Sequence, residues 1–211
     1  SNVTALPLET RLPIMTDALH FRTLASLAQG IEDGEFSSVD VTRCFIDRIE
    51  SMNGELNAFR MPTPDRALDA ARAADRLLAS GQRLGPLHGV PYAAKDLYDV
   101  QDLPTSAGAR VLEDNIATAD SHTVASLARA GMVLLGKTNT VQFAYGGVGV
   151  NHDHGTPVNP WGNAHHVPGG SSSGSGVAVA AGLAPMGLGT DTGGSVRIPA
   201  ALCGISGLKT T

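Results

Sequence analysis

Apolar residues in the first third of the chain recur every three to four positions, the spacing of amphipathic helices. This pattern predicts three helices, each with a polar or proline start signal and two of them with a glycine after the last residue. We interpret all three as packing elements. They cover residues 16–29, capped by Thr16 and stopped by Gly30; residues from Ser37 or Ser38 to about Met52; and residues from Pro64 to Gly81, with Ala67, Ala71, Ala74 and Leu78 on one face.

The pattern changes at Gly89, where short apolar runs begin to alternate with helical segments. Such alternation favours an α/β fold. No repeat or linker interrupts the chain, so we expect one unit rather than two domains. The predicted elements are an apolar run over 89–96, a helix around His122–Ala130, a strand over 132–135, a helix over 174–182, a buried strand over 186–190 and a short helix after Ser195.

Glycine and charge are distributed unevenly along the 211 residues. Sixteen of the 25 glycines lie within residues 146–211, and that segment contains only four side chains with a formal charge. Between His154 and Thr190 there is no Asp, Glu, Lys or Arg, yet Pro, Asn and Ser interrupt the stretch too often for a membrane-spanning helix. Such a tract is typical either of plain protein core or of a buried backbone site.

Composition excludes several classes of protein. With 42% hydrophobic and 17% charged residues, the chain is too apolar for a disordered protein. A net charge of −5 without a basic face argues against direct binding of nucleic acid. Two cysteines, Cys44 and Cys203, cannot form a disulfide framework in a chain of this length, and no secretory leader opens the sequence. We therefore expect a cytoplasmic protein.

The segment from Gly131 to Thr138 fits the phosphate-binding expression G-x-x-x-x-G-K-[ST]. In that motif a glycine-rich turn directs backbone N–H groups at phosphates, whereas the four variable positions here form the predicted strand itself. We therefore expect Lys137 to be structural and the chain not to bind a nucleotide through this segment.

Two further patterns are weak matches to serine hydrolase motifs. The segment from Gly170 to Gly174 fits the nucleophile elbow G-x-S-x-G around Ser172, but no strand precedes it and no histidine follows His166 to act as its base. Ser206 and Lys209 fit S-x-x-K, whose partner motifs would lie beyond Thr211. The first pattern lacks the strand and the base that its chemistry requires, and the second is weak evidence because it is a lone four-residue match.

Four histidines lie close together in the sequence, at positions 152, 154, 165 and 166. Beyond Asp153, no Cys, Glu or spaced Asp cluster completes a ligand set around them. Loop histidines that bond to water or backbone are the better interpretation, and no metal is expected.

The remaining pattern spans several elements. Lys95, one of only three lysines, lies in the apolar run Val-Pro-Tyr-Ala-Ala-Lys-Asp, where desolvation lowers the pKa of an amine toward neutrality. A serine-rich loop over 168–176 follows it, and the segment Gly-Thr-Asp-Thr-Gly-Gly-Ser-Val-Arg over 189–197 follows that loop. In this order the segments resemble the amidase signature family, over a stretch from about Gly85 to Thr211. Further matches are Leu87-His-Gly-Val-Pro, Leu135-Gly-Lys-Thr-Asn, Asn159-Pro-Trp and Gly204-Ile-Ser-Gly-Leu-Lys.

The resemblance implies an α/β fold with a central mixed sheet flanked by helices, and an amide-cleaving Ser–Ser–Lys triad. It assigns Ser195 as nucleophile, Ser171 as the bridging serine on a cis peptide, and Lys95 as base. A serine hydroxyl is a poor nucleophile until a group such as a neutral amine accepts its proton, and a second hydroxyl can relay that proton. The implied reaction releases ammonia or an amine, leaves an acyl-Ser195 ester for water to hydrolyse, and needs no cofactor.

Attack on an amide carbonyl creates an oxyanion, which requires backbone N–H donors that can approach closely. Glycines at 193 and 194 permit that approach, with Thr192 as the third residue of the expected oxyanion hole.

Other residues have supporting roles in the same resemblance. Asp191 and Arg197 are expected to brace the nucleophile loop, and Ser172 to form hydrogen bonds within the relay. Tyr145-Gly146-Gly147 resembles a segment that lines the acyl pocket in relatives. Lys209 is expected to be structural.

Two positions bear on which member of the family the chain resembles. The A subunit of the tRNA-dependent amidotransferase usually has Gln where this chain has Ile198, and two glycines where it has Ser173-Gly174. These residues favour a free-standing amidase, and the alternative is the A subunit of that amidotransferase.

The family domain continues well beyond Thr211. We therefore expect residues 1–211 to be a single incomplete domain, mainly helical over 1–84 and carrying the catalytic core segment over 85–211. Expected partners are a small-molecule amide and, as a candidate second chain, the remaining C-terminal part; neither nucleic acid nor membrane is expected. A homo-oligomer is a further candidate assembly, and a non-catalytic fragment of an amidase is a further alternative to an active enzyme. Without the remaining part, an exposed sheet edge, poor solubility and no turnover are expected.

Overall fold

The structure, a computed structural model, describes residues 19–161 and 166–210. Within these ranges it contains α-helices and β-strands in alternation, together with short 3-10 turns over Arg110–Leu112 and Gln142–Ala144. The helices are α1 (Leu24–Glu32), α2 (Ser38–Leu56), α3 (Pro64–Ala79), α4 (His122–Arg129), α5 (Ser173–Ala180) and α6 (Arg197–Leu202). The strands are β1 (Phe59–Pro62), β2 (Pro91–Lys95), β3 (Val133–Thr138) and β4 (Gly187–Leu188).

The strands form one mixed sheet in the order β1-β3-β2-β4. β2 runs parallel to β3 and to β4, while β1 runs antiparallel to β3. The expected α/β fold with a mixed sheet is therefore confirmed. Because parallel strands end at the same edge, the carboxyl ends of β2, β3 and β4 lie side by side, where α/β proteins commonly place their sites.

The hydrophobic core lies between the sheet and the helices packed on it. α2 packs against α3 and β3, and α5 contacts every strand of the sheet. The bulkiest buried apolar side chains, Phe45, Phe59 and Tyr92, come from α2, β1 and β2. Within the described part of the chain, no helix is both long and apolar enough to cross a membrane.

Two of the predicted N-terminal helices start where the sequence places them. Ser37 caps α2: its Oγ accepts the N–H of Asp40 at 3.0 Å, and the Asp40 carboxylate accepts the N–H of Ser37 at 2.9 Å. This reciprocal capping box fixes the first turn. α2 runs to Leu56, past the predicted end at Met52, and Asn57 ends it in the left-handed conformation. α3 begins at Pro64 and buries Ala67, Ala71 and Ala74, as predicted.

The predicted boundaries of the first helix are wrong. α1 begins at Leu24, because Thr23 accepts the N–H of Ser26 at 3.1 Å and acts as its cap. It continues through Gly30 to Glu32 rather than stopping at Gly30. A side chain at position 30 would clash with the ring of Phe36, so this glycine serves close packing and not termination. The predicted cap Thr16 lies outside the described residues.

Two strands also differ from the prediction. The expected strand over 186–190 is reduced to the two residues of β4, which are half-buried at the edge of the sheet instead of buried within it. β1 has no counterpart in the prediction, because its four residues Phe-Arg-Met-Pro show no clear alternation and end in a proline. The mainly helical N-terminal part therefore also supplies one edge strand.

Gly174 in α5 lies against backbone atoms of Ala58 and Asn139, the residues directly before β1 and after β3. A Cβ at this position would clash with the carbonyl oxygen of Ala58 and lie 2.5 Å from the Asn139 nitrogen. We expect Gly174→Ala to lower the free energy of unfolding by about 3 kcal/mol or more, because backbone atoms cannot move aside. Gly54→Ala in α2, where no atom lies within 4 Å, is the matched control and should change stability by less than about 1 kcal/mol. Urea denaturation of the two variants measures the difference, and equal midpoints would contradict this packing.

Candidate active site

Lys95 is the last residue of β2 and is fully buried. Its Nζ lies 2.7 Å from Ser171 Oγ and 2.7 Å from Thr190 Oγ1. Ser171 precedes α5 and Thr190 follows β4, so the lysine joins two segments that are distant in sequence. The three side chains meet at the carboxyl edge of the parallel strands.

The environment of Lys95 favours its uncharged form. Burial lowers the pKa of Lys95 from its ordinary value of 10.5 to about 7, against the opposing influence of the negative charge of Asp191. Desolvation penalises the ammonium, and both hydrogen-bond partners are neutral hydroxyls that do not compensate for it. A substantial fraction of the amine is therefore unprotonated near neutral pH.

The serine-rich loop is held at the start of α5 by its backbone. The Gly170–Ser171 peptide bond is cis. The Ser171 carbonyl accepts hydrogen bonds from the Val141 N–H at 3.1 Å and from Thr140 Oγ1 at 2.8 Å. Ser171 is fully buried, so its hydroxyl is held in one place against the lysine.

Ser195 lies beside this loop and is half-buried. Its carbonyl oxygen accepts the Ser172 N–H at 3.1 Å, which ties the two serine segments together. Among the described residues, the Ser195 hydroxyl forms no hydrogen bond with that of Ser171. The structure thus brings Lys95 and Ser171 into direct contact and places Ser195 next to them through the backbone of Ser172.

Ser172 bonds to main-chain groups rather than to the side chains of the relay. Its Oγ accepts the Thr190 N–H at 3.2 Å and donates to the Thr190 carbonyl at 3.4 Å. Together with the Ser195 contact, these bonds fasten the segment before Ser195 to the serine-rich loop.

Asp191 braces the nucleophile segment on both sides of Ser195. Its buried carboxylate accepts N–H groups from Gly194 at 2.8 Å, Val196 at 3.1 Å and Arg197 at 3.2 Å. The Arg197 guanidinium adds two hydrogen bonds, at 2.9 and 3.0 Å. These donors, Arg197 first, hold the pKa of Asp191 far below its ordinary value. A fixed carboxylate therefore holds the residues immediately before and after the serine.

The three residues expected to form an oxyanion hole differ in their surroundings. The Gly194 N–H already donates to Asp191. Thr192 and Gly193 are exposed, and no atom lies within 4 Å of the position that a Gly193 side chain would occupy. Open space thus adjoins this part of the nucleophile segment.

Thr190 and Tyr98 contribute contacts that no pattern in the sequence singles out. Thr190 supplies the second hydroxyl on Lys95, and the Tyr98 hydroxyl donates to the Gly189 carbonyl at 2.8 Å. Thr190 lies directly before Asp191 in the Gly-Thr-Asp segment. That position next to a predicted site residue was the signal in the sequence that could have indicated a role for Thr190.

The structure supports a structural role for Lys137. The apparent phosphate-binding segment contains strand β3, which has no loop at the four variable positions to wrap around a phosphate. Lys137 is buried, with Nζ 2.8 Å from Asp96 Oδ1, and it donates to the Pro104 carbonyl at 3.0 Å. The Ser106 hydroxyl bonds to the same carboxylate. Lys137 therefore fixes the loop after β2.

The surroundings of the other competing motifs are also described in part. Ser206 and Lys209 are exposed, and Lys209 Nζ bonds to the Thr210 carbonyl. No strand immediately precedes Ser172 in the described residues. Within the part of the chain that the structure describes, no group of His, Cys, Asp and Glu side chains is arranged to hold a metal ion. His165 lies outside that part.

Comparison with known proteins extends this picture. The family model for amidases matches residues 40–211. The A subunit of glutamyl-tRNA(Gln) amidotransferase from Alkalilimnicola ehrlichii is 50% identical over 193 residues, which cover 92% of this chain and 40% of that relative. A relative from Thermobifida fusca with the same description is 46% identical over 197 residues, or 93% of this chain and 39% of the relative. The chain thus spans about two fifths of the length of these curated relatives.

Solved structures show the same family. The peptide amidase of Stenotrophomonas maltophilia superposes with a TM-score of 0.81 at 37% identity, over 87% of this chain and 39% of that chain. A fatty acid amide hydrolase superposes with a TM-score of 0.82 at 31% identity, over 90% of this chain and 33% of that chain. With the family model covering most of its residues, the chain belongs to the amidase family.

Proposed function

We propose that this chain carries the catalytic machinery of an amide-bond hydrolase that acts through an acyl ester on Ser195. The observation that supports this most strongly is Lys95, buried between two hydroxyls with its pKa lowered to about 7. Burial makes the uncharged amine available near neutral pH, and an uncharged amine in contact with a hydroxyl is what a general base requires.

The proposed proton path follows the observed contacts. Unprotonated Lys95 accepts the proton of Ser171 along the 2.7 Å contact between Nζ and Oγ. Ser171 in turn accepts the proton of Ser195 as the Ser195 oxygen attacks the amide carbonyl, once bound substrate brings the two hydroxyls together. Thr190 Oγ1 accepts an N–H of Lys95, which leaves the lone pair of the unprotonated amine to face Ser171.

Attack on the carbonyl produces a tetrahedral oxyanion beside the nucleophile segment. Backbone N–H groups of Thr192, Gly193 and Gly194 are the proposed donors; Gly194 would have to exchange its bond to Asp191 for one to the oxyanion. Return of the proton through Ser171 to the nitrogen breaks the C–N bond and releases ammonia or an amine. Water then hydrolyses the acyl-Ser195 ester by the same path.

The reaction itself is tested by incubating the purified protein, with any chain that copurifies, with a small linear primary amide. Ammonia and the carboxylic acid should form in equal amounts, and mass spectrometry during turnover should find the acyl group on the peptide that contains Ser195. Hydrolysis without an acylated serine would contradict the mechanism.

The rate should depend on pH through Lys95. Only the unprotonated amine accepts a proton, so kcat/KM is expected to rise about tenfold per pH unit below about pH 7 and to level off above it. Ammonia release measured from about pH 5 to about pH 9 checks this profile. A rate that is flat across neutral pH, or that falls as pH rises through 7, would contradict Lys95 as base.

A second candidate function is that of the amidotransferase A subunit, which the 50% identity to such a subunit favours. In that case free glutamine would be the amide that is hydrolysed, and the ammonia would pass to an acceptor held by another subunit. Comparing hydrolysis of glutamine with that of uncharged amides, in the presence and absence of copurifying chains, distinguishes the two candidates.

We also propose that further polypeptide completes the single incomplete domain. β4 lies at the edge of the described sheet, and the apolar side chains of Trp161, Leu202 and Leu208 are 56%, 45% and 82% exposed. Such an edge and surface favour a covering partner. Intact-mass and gel measurements on the natural protein should show additional amidase-domain sequence, on the same or a second chain. Its absence from an active preparation would contradict this proposal.

A further inference from the structure

Tyr98 lies in the turn that follows β2, shortly after Lys95 in the sequence. Its backbone N–H donates to the Lys95 carbonyl at 3.0 Å. Its ring is half-buried and packs against the hydrophobic core. The backbone and the ring of this tyrosine are therefore both held in place relative to the lysine.

The hydroxyl of Tyr98 reaches the segment that contacts the lysine amine. It donates to the Gly189 carbonyl at 2.8 Å. Gly189 lies between β4 and Thr190, and Thr190 Oγ1 is 2.7 Å from Lys95 Nζ. These contacts form a closed path, from the lysine backbone through the tyrosine and the Gly189–Thr190 segment back to the lysine amine.

The Gly189 carbonyl and the Thr190 N–H belong to one planar peptide unit. β4 ends at the residue before it, so strand pairing does not orient this unit. Two side chains hold it instead, from opposite edges: Tyr98 bonds to the carbonyl, and Ser172 Oγ accepts the N–H at 3.2 Å. With the Tyr98 hydroxyl removed, the unit could rotate about its remaining bond to Ser172.

Rotation of this peptide unit would carry the Thr190 hydroxyl away from Lys95. The amine would then gain room for water and lose part of its direction toward Ser171. Because burial is what lowers the pKa of Lys95, added water raises that pKa again. Burial also raises the pKa of Tyr98, so its hydroxyl remains a donor at neutral pH. Asp191, whose charge also acts on the amine, stays ionised there.

We propose that Tyr98 is a positioning residue for the proposed base. Its hydroxyl fixes the peptide unit between Gly189 and Thr190, and that unit holds the Lys95 amine toward the bridging serine. The inference rests on the proposed amide hydrolysis, in which Lys95 accepts the proton. It gives a role in the reaction to a side chain that acts only through its neighbours.

Tyr98→Phe tests this role, because it removes the hydroxyl and keeps the ring that packs on the core. With a small linear primary amide as substrate, we expect kcat to fall about tenfold and KM to change less than about twofold, since the tyrosine acts on the base and not on bound substrate. The midpoint of the kcat/KM profile should move upward from about pH 7 by about 0.5 pH unit or more. A loss of stability alone would not move this midpoint.

Tyr92→Phe is the matched control. Tyr92 lies on β2 and is 1% exposed, and among the described residues its hydroxyl forms no bond to the Gly189–Thr190 segment. The variant removes the same group from the same part of the chain. Its kcat and its midpoint should match those of the unchanged protein, even where urea denaturation shows lower stability.

Thr190→Val tests the path itself in a double-mutant cycle. Valine has the shape of threonine and no hydroxyl to contact Lys95, so kcat of this variant should fall about tenfold. If Tyr98 acts through Thr190, adding Tyr98→Phe to Thr190→Val should lower kcat by less than about twofold more. An unchanged kcat in Thr190→Val would contradict the path without any change at Tyr98.

Two further results would overturn the inference and leave amide hydrolysis standing. One is an unaltered kcat and midpoint in Tyr98→Phe. The other is a loss of about 100-fold in the double variant, which would show that the two residues act independently. Absence of hydrolysis by the unchanged protein, with Ser195 unreactive toward a serine-directed label, would overturn both the inference and the proposed function.

Discussion

Replacing Ser195 with alanine is expected to reduce amide hydrolysis by at least about 10⁴-fold, the scale at which loss of a hydrolase nucleophile is felt. The hydroxyl is the only group proposed to form the covalent bond to the acyl group, and no other member of the site can substitute for it. The backbone of Ser195, which accepts the Ser172 N–H, keeps its contact in the variant. Binding of substrate should therefore survive, and ammonia release at saturating substrate measures the loss.

Ser206→Ala serves as the control for Ser195→Ala. Ser206 is exposed and lies in the S-x-x-K pattern, one of the two other candidate serine motifs, so its replacement should leave the rate unchanged. If Ser206→Ala abolished hydrolysis while Ser195→Ala retained it, the nucleophile would belong to the S-x-x-K pattern.

Replacing Lys95 with methionine is expected to reduce kcat/KM about 10²- to 10⁴-fold at pH 8, the usual contribution of a general base. Methionine keeps the length of the side chain without its amine, so the core around β2 stays filled. The residual rate should no longer rise through pH 7. Lys209→Met removes an exposed lysine and should retain both the rate and its pH dependence.

Stability provides a second measurement on the same variant. The pKa of Lys95 is about 7 in the folded chain, against its ordinary value of 10.5. Between these values the unfolded chain binds more protons, so this lysine makes the free energy of unfolding rise with pH over that window and leaves it flat below about pH 7. The free energy of unfolding of Lys95→Met minus that of the unchanged protein should therefore fall as pH rises from about 7 toward 10.5. A constant difference would mean that Lys95 is charged in the folded state.

Local signals in the sequence predict the helices well where caps are explicit. Ser37 with Asp40, and the proline that starts α3, fix the beginnings of two helices through backbone geometry that neighbouring residues alone determine. The end of α1 could not be predicted in this way. A glycine such as Gly30 is typical of a helix end, but a ring from a later residue occupies the space beside it, and only the tertiary structure reveals that contact.

The sheet edges were the least predictable part of the fold. β1 and β4 have four and two residues, too few for a periodic pattern, and pairing with β3 and β2 defines them. Pairing depends on residues far away in sequence. Short edge strands therefore escape any interpretation based on local periodicity.

The same limit applies to the site: features set by neighbouring residues could be predicted, and contacts between distant segments could not. The apolar run around Lys95 predicts a lowered pKa, and the structure gives the same direction and the burial that causes it. Seventy-six residues separate Lys95 from Ser171, so their contact was expected only from the family resemblance. Thr190 on the lysine and the bond between Gly194 and Asp191 depend on side-chain placement within a turn, which residue types alone do not specify.

The central claim is that Ser195 is the nucleophile and that Lys95 activates it through Ser171. Labelling with a serine-directed fluorophosphonate, followed by peptide mapping, tests it most directly because one covalent adduct identifies the reacting atom. We predict a single adduct on the peptide that carries Ser195, absent in Ser195→Ala and formed far more slowly in Lys95→Met. An adduct on Ser172 or Ser206, or labelling of Ser195 at an unchanged rate without Lys95, would contradict it.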